Sequence, residues 1–170
     1  LALADTDLRV REERGVSPGF LFATLLWHEV LATWKAGRAG GGKSIPARFE
    51  AMDSVLGEQA KKIAIPRRFE ATIKEIWSLQ PRFEQRAGGR PFRLLEHPGF
   101  RAGWDFLDLR CQSGELEGEL AGLADWWDRF ANAGSDEREA MLKPDAGPKP
   151  RSRGRGRGRK RRAAGETAQP

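Results

Sequence analysis

Cysteine, histidine and long apolar stretches are all scarce in this 170-residue chain, and each scarcity excludes something. Cys111 is the only cysteine, so no internal disulfide can form, and a reducing compartment is expected. His28, His97 and Cys111 show no ligand-like spacing, which argues against a metal site. The longest apolar run, residues 20–27, is far short of the roughly 20 residues that cross a bilayer. Asp5, Asp7, Glu12 and Glu13 stand where a signal peptide would place a basic start and an apolar stretch. A cytoplasmic protein without membrane contact is therefore expected. No segment alternates apolar and polar residues over strand length, and no Asn-Gly hairpin signal occurs, which argues against a sheet. The chain begins at Leu1 rather than Met, which suggests a fragment of a longer protein.

Apolar residues make up 39% of the chain and include six Trp and nine Phe, enough for a core if they are concentrated. They are concentrated in residues 1–142. Charge is divided in the opposite sense. Residues 143–170 hold ten Lys or Arg against two acids, a net +8, while residues 1–142 hold 20 basic and 22 acidic residues. A near-neutral body with a cationic tail points to a polyanionic partner, most often nucleic acid.

The body reads as helix throughout. Ser17 and Pro18 form an N-cap and first-turn pair. Behind them Phe20, Ala23, Trp27, Leu31 and Trp34 recur at helical spacing, widened by Leu21, Leu25, Leu26 and Val30 into a deeply buried helix that residues 37–42 end. Ser44 is a candidate cap for a second helix facing inward through Phe49, Met52, Leu56, Ala60 and Ile63. Pro66 opens a third, with Phe69, Ile73, Ile76, Trp77 and Phe83, and Pro81 predicts a kink or break near Gln80. A short turn of helix over residues 91–96 precedes a fifth face of Phe100, Trp104, Leu107 and Cys111. Leu116, Leu120, Leu123, Trp127 and Phe130 make a sixth, closed near Gly134. The expected fold is an all-α bundle of about five to six helices over residues 1–142. Residues 143–170, rich in Pro, Gly and Arg, cannot offset their ordering entropy by burial and are expected to be disordered.

Several motifs suggest chemistry that their context denies. Residues 37–44 fit the phosphate-binding pattern G-x-x-x-x-G-K-[ST], but they follow a helix instead of a strand, and Pro46 comes almost at once. A flexible loop between helices is the expectation. Asp5-Thr6-Asp7 has the D-x-D spacing of a two-metal nucleotidyl-transfer site, yet no Gly-Ser loop precedes it. It reads as a solvated entry segment. Cys111 shares an apolar face with Trp104 and Leu107 and reads as a packing cysteine. Asp105 with Asp108, and Asp125 with Asp128, read as solvated helix faces.

Two basic clusters remain. Arg67, Arg68, Arg82, Arg86, Arg90, Arg93 and Arg101 crowd into 35 residues and interleave with Phe69, Phe83 and Phe92. Cations suit the phosphates of a single-stranded nucleic acid, and rings can stack on its bases. The competing reading pairs these arginines with Glu70, Glu75, Glu84 and Glu96 on a solvated surface. In the tail, Arg151, Arg153, Arg155, Arg157, Arg159, Lys160, Arg161 and Arg162 alternate in part with glycine. Such a segment is expected to bind RNA through counterion release with little sequence choice, and the competing reading is a solubilising tail.

Residues 65–69 (IPRRF), 76–80 (IWSLQ) and above all 94–102 (LLEHPGFRA) resemble the C-terminal region of bacterial poly(A) polymerases, as do residues 6–10, 18–23, Trp126-Trp127 and the arginine-rich end. The resemblance implies an RNA-contacting helical body from a polynucleotide adenylyltransferase, which adds AMP from ATP to single-stranded RNA 3′ ends and marks them for decay. It implies that ATP and Mg2+ belong to a catalytic head absent from this chain, so no catalytic residue is carried over and the fragment alone is expected to be inactive. RNA is the implied partner, with RNA-decay proteins a second class. Pro81 departs from the family in a helix expected to be continuous. Two other readings compete: a helical adaptor for a decay-complex protein with the tail as a nonspecific RNA anchor, and a small P-loop NTPase.

Overall fold

The computed structural model describes residues 17–142 apart from 42 and 64. The D-x-D motif at residues 5–7 and the tail from residue 143 onward lie outside the described residues. Seven α-helices follow in order: α1 Pro18–Ala39, α2 Ser44–Gln59, α3 Glu70–Phe83, α4 Arg90–Leu95, α5 Phe100–Gln112, α6 Leu123–Asn132 and α7 Ser135–Met141. Two 3-10 turns, Arg67–Phe69 and Gly118–Leu120, lead into α3 and α6. No strand occurs among the described residues, and none of their helices is long and apolar enough to cross a membrane. The all-α expectation holds, with the short α7 beyond the helices the periodicity reveals.

α1 starts where the sequence predicts. Ser17 Oγ accepts from Phe20 N at 3.4 Å, and Pro18 occupies the first turn, where its missing N–H costs nothing. The helix runs on through Gly37 to Ala39, past its predicted end. The chain then reverses at Gly40 and Gly41, the latter at φ +88, a conformation glycine adopts without penalty. Ser44 is the first residue of α2 and not its cap. Lys43 precedes it, with no side-chain capping hydrogen bond.

The buried stripe of α2 is Ala47, Ala51, Met52, Val55, Leu56 and Gln59. It differs from the predicted face at both ends: Phe49 is 45% and Ile63 44% exposed. The small residues Ala47 and Ala51 set the line along which α1 lies, and Phe49 falls about 120° around the helix from Val55, at the edge of the stripe. Leu25 on α1 is likewise exposed, so α1 is buried on one side only.

α3 is the spine of the molecule. Its Ile73, Ile76 and Trp77 join Ala23, Leu26, Trp27, Val30, Met52 and Leu56 in one core, while its Leu79 and Phe83 join Leu94, Leu107, Leu123, Trp127 and Phe130 in a second. α5 also serves both. Leu107 belongs to the second core, whereas Phe106, absent from the predicted face, turns to the first and meets Trp27 edge-on at 5.4 Å. The α3–α5 contact is close because Gly103 has no side chain: a Cβ there would lie 3.0 Å from Leu79 Cδ1 and 3.1 Å from Phe83 Cε2.

Indole N–H groups tie these elements together. Trp77 Nε1 donates to Ala23 O of α1 at 2.9 Å, and Trp104 Nε1 to Ala124 O of α6 at 3.2 Å. Trp127 Nε1 donates at 2.9 Å to Phe83 O, at the C-terminal end of α3, where a carbonyl has no helical partner. Pro81 does not break α3, which continues to Phe83. It lies in the last turn, where few hydrogen bonds remain to be broken, and Phe83 beyond it is held fully buried against Trp127 at 5.2 Å. Gln80, 1% exposed, donates through Nε2 to Ile76 O and Gly103 O, each at 3.1 Å, and accepts from Arg110 at 3.1 Å.

Candidate nucleic-acid interface

The seven body arginines are close in sequence but do not form one patch. Arg67 and Arg68 sit in the turn before α3, and Arg82 and Arg86 at or beyond its far end. A helix of that length separates the two pairs by about 20 Å. Arg90 and Arg93 lie on α4, and Arg101 in the first turn of α5.

Their settings differ. Arg67, Arg68, Arg90, Arg93 and Arg101 are exposed. Arg68 lies 4.8 Å from the centroid of Phe69, whose ring packs beside Phe22. Arg67 borders an open polar cavity of about 430 Å³ with Lys74, Glu70 and Asp53, the last paired to Lys74 at 2.7 Å. Arg101 is 76% exposed although it reaches Asp105 at 3.1 Å and lies 4.8 Å from the Trp104 centroid. Arg82 is half-buried. The Arg86 side chain is only 12% exposed. It lies 5.8 Å from the Trp126 centroid and 4.0 Å from Glu119, and its Nε has no hydrogen-bond partner among the described residues.

The predicted pairing of this cluster with glutamates is largely not formed. Among the described residues, Arg67, Arg68, Arg82 and Arg93 make no ion pair, and Glu75 approaches His97 instead, at 3.8 Å. Two of the three candidate stacking rings pack against the second core. Phe83 is fully buried, and Phe92 packs against Phe130 at 5.3 Å. Phe69 is half-buried beside Phe22, so part of the alternation of Arg and Phe is the inward and outward pattern of packed helices, with Arg82 and Arg86 as exceptions. Asp105 corrects another expectation, for its side chain is only 13% exposed. Cys111 is half-buried, its Sγ donating to Leu120 O at 3.8 Å, and burial pushes its thiol pKa up despite neighbouring backbone N–H groups.

Two arginines outside the predicted cluster have structural partners. Arg138 donates to Phe130 O and Ala131 O, each at 2.8 Å, and so caps the end of α6. Arg110 binds Glu115 and Gln80 beneath Trp27. The glycine-rich segment at residues 37–44 joins helix to helix, without the strand a phosphate-binding loop requires.

The family described as "Polymerase A arginine-rich C-terminus" matches residues 40–163, most of the chain. The chain belongs to this family. It is 42% identical over 141 residues to poly(A) polymerase I of Salmonella typhi and 39% identical over 141 residues to that of Escherichia coli O6:H1, each match covering 82% of the chain and 30% of the relative. Identity to poly(A) polymerase I of Haemophilus influenzae is 36% over 144 residues, covering 84% of the chain and 31% of the relative. The chain therefore spans about 30% of the length of these relatives and corresponds to their C-terminal part.

Proposed function

We propose that this chain is the RNA-guiding C-terminal portion of a polynucleotide adenylyltransferase, acting in the cytoplasm on single-stranded RNA 3′ ends. The observation that carries the reading is the family match, which spans both the helical body and the arginine-rich end. The exposed Arg67, Arg68, Arg90, Arg93 and Arg101 supply phosphate contacts along the body. Arg82 and Arg86, more covered, add positive field behind them. Arg151, Arg153, Arg155, Arg157, Arg159, Lys160, Arg161 and Arg162 tether the RNA through counterion release and leave it free to slide. The transfer of AMP from ATP, with its magnesium, belongs to the rest of the full-length protein. Among the described residues no group of three or more His, Cys, Asp or Glu could hold a metal ion, and no catalytic step is assigned to them.

RNA affinity measured against salt tests this, for the whole chain and for residues 1–142. The shortened body is expected to bind oligoadenylate more weakly, with a slope reduced by about 0.7 for each phosphate that the tail had neutralised. The whole chain is expected to bind RNA and incorporate no AMP. A body that fails to bind even at low salt would refute the guiding role and favour a protein adaptor with an RNA-anchoring tail.

A further inference from the structure

The tip of the α1–α2 hairpin is built from a stretch of sequence with basic residues and no acidic ones. Residues 30–49 contain Lys35, Arg38, Lys43 and Arg48 and no Asp or Glu, although residues 1–142 as a whole carry 20 basic and 22 acidic residues. Lys35, Arg38 and Lys43 are exposed. Within a Debye length of about 10 Å such charges reinforce one another.

Two aromatic side chains lie among them. Trp34 bridges the hairpin, its Nε1 donating to Ser44 O at 3.0 Å, with Arg38 6.0 Å from its centroid. Phe49 is 45% exposed, beside Ile45 at 63%, and the Arg48 guanidinium stands 5.4 Å from its centroid. Gly37 packs against Ala47 across the hairpin, where an added Cβ would meet the alanine methyl at 3.6 Å.

We propose that this tip is a second contact site for single-stranded RNA, separate from the arginines of α3, α4 and α5. Lys35, Arg38 and Lys43 would engage consecutive phosphates, and Phe49 would stack on a base. Ring and cation together are what a sequence-tolerant single-strand site requires. Charge favours RNA, because exposed Lys35, Arg38 and Lys43, with no acid between residues 30 and 49, suit a polyanion. The inference rests on the RNA-guiding reading, and its test separates the two.

The experiment titrates the full chain with labelled oligoadenylate at several salt concentrations. The variants are Lys35→Ala/Arg38→Ala/Lys43→Ala and, separately, Phe49→Ala; circular dichroism melts verify their folds. The triple variant is expected to bind more weakly and to drop about 2 from the log–log salt slope, at about 0.7 per phosphate. Phe49→Ala is expected to weaken binding about fivefold or more with the slope unchanged. If the unaltered chain binds RNA and both variants match it in affinity and slope, the tip proposal is overturned while the guiding role stands. The tip would then be a surface for a protein partner. If the unaltered chain binds no RNA, both readings fall.

Discussion

Arg110→Met tests the energetics of the molecule at its most demanding point. The Arg110 side chain is 10% exposed and that of Glu115 20%, and the guanidinium Nε and a terminal nitrogen each lie 2.9 Å from Glu115 Oε1. Its other terminal nitrogen donates to Gln80 Oε1 at 3.1 Å, and the guanidinium lies 4.9 Å from the Trp27 ring. Trp27 Nε1 donates to both Glu115 oxygens, at 2.9 and 3.0 Å. The pair therefore anchors the loop after α5 to both α1 and α3. Methionine keeps most of the apolar stem but strands a largely covered carboxylate and the Gln80 oxygen. Breaking a buried pair by removing one partner costs about 3–5 kcal/mol. Glu115 retains the Trp27 N–H and some solvent, so about 3 kcal/mol is expected here. At about 2–4 °C per kcal/mol, the thermal midpoint should fall by about 6–12 °C. Thermal and urea melts followed by far-ultraviolet circular dichroism measure this. Adding Glu115→Gln removes the stranded charge while leaving an amide oxygen for Trp27, and should restore about half the loss or more. A single variant within about 0.5 kcal/mol of the parent, or a double variant whose losses simply add, would refute the account.

Two further predictions concern packing and the thiol. Gly103→Ala must push its methyl against Leu79 and Phe83, both almost wholly buried, and overpacking at about 1–3 kcal/mol outweighs the roughly 1 kcal/mol gained in helix propensity. Gly57→Ala, with nothing within 4 Å of its Cβ, should instead stabilise α2 by about 0.5–1 kcal/mol; equal effects in denaturant melts would contradict the close α3–α5 contact. Burial holds the Cys111 pKa above its ordinary value, so the folded state retains the thiol proton to higher pH. Its contribution to stability is complete below the unfolded pKa and is lost as pH rises through the raised value. Iodoacetamide, which needs the thiolate, should alkylate the native protein more slowly than the denatured chain near neutral pH, and equal rates would disprove this.

What local sequence determined here is the class of fold and the division of charge. Helical spacing of apolar residues is a local property, as is the start of α1 at Ser17 and Pro18, and both are visible in the structure. The family was legible too, from the blocks at 65–69, 76–80 and 94–102, which lie within the matched residues 40–163. Only tertiary structure decided how each helix is turned about its axis. That rotation put Phe49 outside and Phe106 inside, split the cores along α3, and drew Arg86, Arg110 and Arg138 into packing while leaving Arg67, Arg93 and Arg101 exposed. It also kept α3 whole through Pro81, since the burial of Phe83 holds the last turn. A 3.6-residue repeat tells that a helix has an inner face. Which neighbours meet that face, and at what distance, depends on side chains far away in the chain, such as Gly103 against Leu79 or Glu115 beneath Trp27, and periodicity carries no information about them.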